Sequence, residues 1–94
     1  MTRVLLDASL DTLDKVYDAL QRQLALPRHF GRNLDALWDV MTTDVRGPVT
    51  IVWRDPARAR AGLGTDYDRL VATLREVEAE RPDFRLILED PASG

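Results

Sequence analysis

Val49-Thr50-Ile51-Val52-Trp53 is a near-continuous run of β-branched and aromatic residues, set between Gly47-Pro48 and Asp55-Pro56. A strand with one wet face alternates apolar and polar residues. A run this uniformly apolar marks a strand buried on both faces, as in a parallel sheet covered by helices. Two similar runs lie outward from it, Val4-Leu5-Leu6 and Phe84-Arg85-Leu86-Ile87-Leu88. Between the first and second, Leu10, Leu13, Val16, Tyr17, Leu20 and Leu24 follow helical spacing, with Ser9 or Thr12 as cap and Pro27 as terminator. Gly31 permits a tight turn, and Asn33 caps a second helix that runs to about Thr43. Between the second and third, Asp55 and Pro56 open a short helix that stops at Gly62. Thr65 and Asp68 form a capping-box pattern for a long helix with Tyr67, Leu70, Val71, Leu74 and Val77 facing inward, ended by Pro82. Strands alternating with helices predict an α/β fold: a small three-stranded parallel sheet packed with helices, joined by right-handed crossovers. Residues 1–90 are expected to form a single domain, with 91–94 as a flexible tail.

Ninety-four residues suit one domain, and 45% apolar with 31% charged residues is ordinary for a globular protein. No apolar run approaches the ~18 residues that cross a membrane. The apolar stretch at the N-terminus is too short for a secretory signal, so a cytoplasmic protein is expected. With no cysteine and one histidine, Cys/His zinc sites are not expected, and no cofactor motif is found. Thirteen basic against sixteen acidic residues give a net charge of −3, which disfavours nucleic acid as a direct ligand and suits a partner with a basic surface.

The helix after Asn33 has two unlike faces. Leu34, Leu37, Trp38 and Met41 fall on one apolar stripe, while Asp35 and Asp39 share a polar flank four residues apart. From Leu34 to Asp44 there are three acids and no Lys or Arg. Like charges four apart cost a helix about 0.2–0.5 kcal/mol. Asp35, in the first turn, is favoured by the helix dipole, and Asp39, beyond it, gains little. Stability does not explain Asp39; a partner does.

The run Leu24-Ala25-Leu26-Pro27, then Gly31, then Asn33-Leu34-Asp35-Ala36-Leu37-Trp38-Asp39, strongly resembles the barstar family of intracellular inhibitors of a secreted bacterial ribonuclease. Trp53 and Arg75-Glu76…Ala79-Glu80 extend the match over nearly the whole chain. The resemblance implies a barstar-like fold and a 1:1 complex with a secreted bacterial ribonuclease or ribonuclease-type toxin. In that complex Asp39 would enter the phosphate site, Asp35 would pair with a neighbouring basic group, and Glu76 would add a further acidic contact supported by Glu80. Gly31, Asn33, Leu34, Ala36, Trp38 and Thr42 also match contact positions of the family. The chain departs from the family where His29 replaces a tyrosine, Asp44 an aromatic residue and Arg32 an acid, which implies a partner different in detail.

Three further expectations complete the analysis. Glu78 falls near the apolar side of the last long helix and must snorkel or pair. Arg28 or Arg32 could bridge Asp35 at the surface. Paired carboxylates can act as acid and base, but these should sit on an exposed convex helix with no cleft, and no phosphate loop, nucleophile elbow or metal cluster accompanies them. A non-enzymatic inhibitor is therefore expected, the alternative being a barstar-like interaction module whose partner is not a ribonuclease.

Overall fold

The computed structural model describes residues 2–90, so the tail expected at 91–94 lies outside the described residues. Strands form where the apolar runs predict: β1 (Thr2–Leu6), β2 (Val49–Arg54) and β3 (Phe84–Glu89). They pair in parallel in the order β1-β2-β3, and the register places Leu5, Val52 and Ile87 in one row. Helices α1 (Leu13–Leu24) and α2 (Leu34–Thr43) connect β1 to β2; α3 (Pro56–Leu63) and α4 (Thr65–Glu80) connect β2 to β3. The core lies between sheet and helices, where Trp53, Leu6, Leu20, Leu37, Met41, Ile51, Leu70 and Leu74 are fully buried.

Only β2 is buried along most of its length. β1 and β3 alternate, and Leu5 and Ile87 are 46% and 40% exposed. The expectation that every strand is covered on both faces is thus corrected. Both crossovers step the same way across the sheet, an arrangement that with the usual right-handed sense puts the helices on one face, and β1 and β3 accordingly bury one set of alternate side chains and expose the other.

Local details also shift. Thr12 rather than Ser9 caps α1, its hydroxyl accepting from the Lys15 N–H at 3.2 Å. That helix ends at Leu24, before Pro27 can act, because Ala25 adopts left-handed backbone at φ 51°. Pro56 takes the first position of α3, but Asp55 makes no side-chain cap bond. α3 continues through Gly62 to Leu63, and the break falls at Gly64, φ 63°. Thr65 is then already helical, so its hydroxyl is not at the cap position and the Thr65–Asp68 box does not form.

Both edges of the sheet are closed by side chains. Gln23 of α1 accepts from the Leu5 N–H at 2.9 Å and donates to the Leu5 carbonyl at 3.0 Å. On the far edge, Glu78 accepts from the Leu86 N–H at 2.9 Å and Arg75 donates to the Leu86 carbonyl at 3.0 Å. Each takes the place of a neighbouring strand's amide, which blunts an otherwise adhesive edge.

Candidate acidic interface

The loop from Ala25 to Asn33 and helix α2 are built as one piece. Asn33 caps α2 as expected, accepting from the Ala36 N–H at 2.8 Å, and its amide donates to the Gly31 carbonyl at 3.3 Å. Gly31 serves close approach rather than turning: a Cβ there would sit 3.2 Å from Ala36 Cβ. The left-handed residue at this turn is its neighbour Arg32, at φ 53°. A non-glycine residue there carries strain of order 1 kcal/mol. Its guanidinium offsets this by bonding Asp18 at 2.9 Å, the Asp14 carbonyl at 3.0 Å and Gln21, and by lying 5.7 Å from the Tyr17 ring centre. The bridge from Arg32 to Asp35 therefore does not form; Arg32 turns back onto α1 and ties the loop down.

The far end of α2 is held from α4. Arg81, the C-cap residue of α4, donates to the carbonyls of Met41 and Val45 at 2.7 and 2.6 Å and is itself gripped by Asp83. These carbonyls lie at the end of α2, where no further helical N–H reaches them. The Arg81 guanidinium in turn holds the Asp83 carboxyl below its ordinary range. The ends of α2 and α4 thus lie side by side, and Glu76 and Glu80 stand exposed on the same half of α4.

Loop and helix enclose a notch of about 80 Å³. Phe30, Gly31, Ala36 and Val40 line it together with His29, Asp39 and Asp44. The convex helix expected without a cleft thus has a small one, and it gathers five of the expected contact residues. Asn33 and Leu34 line a different groove, shared with Tyr17, Arg32 and Arg69. Leu34 and Ala36 are partly buried against the core. Trp38 lies off the buried stripe of Leu37, Val40 and Met41 and is 36% exposed, which makes it a surface residue. The Thr42 hydroxyl is taken up by its own helix, donating to the Trp38 carbonyl at 2.9 Å.

Asp35, Asp39, Asp44, Glu76 and Glu80 are exposed, and among the described residues none has a cation within 4 Å. Nine other carboxylates do, and Asp7, which has none, is bonded instead by the Ser9 N–H and hydroxyl. Asp44 is doubly unfavourable, being the C-cap of α2, where the helix dipole opposes a negative charge. Glu78 pairs as expected: the Leu86 N–H and then Arg75 hold its carboxyl below the usual range. Sequence reasoning missed Arg32 and Arg81 as anchors. The only cue for Arg32 was Asp14 and Asp18, four apart on α1; Arg81 meets partners 36 and 40 residues away, which no spacing rule reveals.

The comparisons with known proteins agree with this geometry. A family model described as "Barstar (barnase inhibitor)" matches residues 1–89. A protein of Bacillus subtilis (strain 168), described as "Putative ribonuclease inhibitor YrdF", is 32% identical over 91 residues, covering 95% of this chain and all of that protein.

Proposed function

This chain belongs to the barstar family, and on that premise we propose that it inhibits a ribonuclease by filling the active site with carboxylates in place of RNA phosphates. A ribonuclease must hold an anionic backbone, so its cleft concentrates basic groups and a positive potential. Asp39 enters the phosphate site, Asp35 pairs with a neighbouring basic group, Glu76 adds a contact from α4, and Glu80 strengthens the field. His29, Gly31, Asn33, Leu34, Ala36, Trp38, Thr42 and Asp44 complete the contact surface. The partner is a secreted bacterial ribonuclease or ribonuclease-type toxin, bound 1:1, and the inhibitor acts in the cytoplasm without catalysis of its own.

The observation that carries this reading is that the acids of the expected contact surface are left without cations by the fold. The five acids assigned to that surface, four matching acids of the family and Asp44 at a matching position, all lack a cation within 4 Å among the described residues, whereas nine of the other acids have one. Charges left uncompensated on anchored elements favour a partner that supplies the compensation, and little ordering cost remains on binding. The test is a titration of RNA cleavage by a small ribonuclease, or ribonuclease-like toxin, encoded beside this protein's gene. Cleavage should fall linearly and vanish at one equivalent. Full cleavage at several equivalents of inhibitor would refute the pairing.

A further inference from the structure

The uncovered face of the sheet has a polarity of its own. Along β3 it presents Arg85, Ile87 and Glu89, and along β1 it presents Arg3 and Leu5, with Asp7 at the next outward position. Across the strands, Arg3, Thr50 and Arg85 form one row, Leu5, Val52 and Ile87 the middle row, and Arg54 and Glu89 the last. Arg3 and Arg85 are exposed and have no carboxylate within 4 Å among the described residues. Leu5 and Ile87 are two of the three large apolar side chains exposed among the described residues, the third being Trp38 on α2. A parallel sheet is ordinarily covered on both faces.

We propose that two copies of this chain pack these faces together about a two-fold axis lying along the middle row. The strands then run antiparallel across the interface, with β1 over β1 and β3 over β3. A residue two before the middle row meets the residue two after it in the other copy. Arg85 therefore faces the second copy's Glu89, which Arg54 of its own copy already approaches at 3.5 Å, Arg3 faces the second copy's Asp7, and Leu5 and Ile87 meet themselves on either side of Val52, which is itself buried. An axis along the strands would instead set Arg3 against Arg85, which like charges oppose. The face is thus self-complementary in one orientation. Addition through strand edges is closed by Gln23 and by Arg75 with Glu78, which leaves the face as the route for sheet-to-sheet contact. The acids of α2 are on the helical side of the molecule, so both copies keep them free.

The patch is small. Three strands at ~4.8 Å spacing and five or six residues at ~3.3 Å give roughly 15 by 17 Å. A stable dimer needs about 800 Å² per partner, several times this patch, so the association is weak and shows only at high concentration. Sedimentation equilibrium of the chain alone tests this without any ribonuclease. The average mass should rise from 10.6 kDa toward twice that as concentration climbs from about 10 µM to about 1 mM. Arg85→Glu and Glu89→Arg, each checked for native circular dichroism, should stay monomeric alone, because each sets like charges face to face. Mixed in equal amounts, they should associate again. A wild-type mass that stays at one chain throughout overturns the proposal and leaves the face to a different, acidic partner. So does a mixture no more associated than its components.

Discussion

Asp18 and Asp39 are both exposed aspartates on amphipathic helices, yet the fold treats them differently. Asp18 receives the Arg32 guanidinium at 2.9 Å and helps hold a loop in left-handed backbone. Asp39, on the very helix that loop precedes, receives nothing from a cation. The contrast extends along α4, where Glu78 is drawn onto the edge of β3 while Glu76 and Glu80, two residues to either side, are left in solvent. Arginine is not in short supply, since thirteen basic residues are available to sixteen acids. The carboxylates that hold loop and edge together are compensated within the fold, and those of α2 and the outer half of α4 are the ones that the proposed basic partner would compensate.

That distinction predicts opposite phenotypes. Asp39→Ala should weaken inhibition by about 3–5 kcal/mol, measured by titration of the target ribonuclease, because a desolvated cation in the enzyme would lose its counterpart. Its thermal midpoint should match wild type; a large drop would mean Asp39 belongs to the structural class. Arg81→Ala should do the reverse. Removing the donor to the Met41 and Val45 carbonyls should cost about 2 kcal/mol in urea unfolding. Inhibition by the fraction still folded should change far less.

Glu78 sharpens the comparison through pH. Its folded carboxyl is held low, first by the Leu86 N–H, so its contribution is fully present above the unfolded value of about 4.3 and is lost as pH falls through the lower folded value. Glu78→Gln should cost about 1 kcal/mol at neutral pH and converge with wild type at strongly acid pH, read from urea midpoints across a pH series. The smallest effect is expected for Arg32→Ala. Its ion pairs are partly solvated, and less than about 1 kcal/mol of stability should be lost, with a modest slowing of association as the loop loosens.

Much of this molecule was legible in its sequence because the signals were local. The Val49–Trp53 run identified the central strand, the Asn33 cap fell where the chain turned helical, and four-residue spacing put Asp35 and Asp39 on one flank. Glu78 announced by periodicity that it needed a partner, though not that the partner would be a strand. Three features stayed hidden for physical reasons. Leu5 and Ile87 are apolar yet face outward, so an apolar run could not distinguish a covered strand from an edge strand with one open face. Arg32 was visible as a departure from the family, but its meaning lay in a helix more than a turn of chain away. Arg81 acts across 36 to 40 residues, a relation made only when α4 closes onto α2.

The packing of Gly31 on Ala36 has a consequence for how such a protein can change targets. With 3.2 Å between a Cβ at position 31 and that of Ala36, even a methyl group there, at the bottom of the notch, asks its α2 side to give by a few tenths of an ångström. His29, Asp39 and Asp44 surround that bottom from exposed positions, where bulk and charge can be exchanged with little effect on folding. If this surface meets the enzyme as proposed, divergence toward a new target would be channelled to the rim, and a lineage could retune whom it recognises one exposed side chain at a time while keeping the same seat.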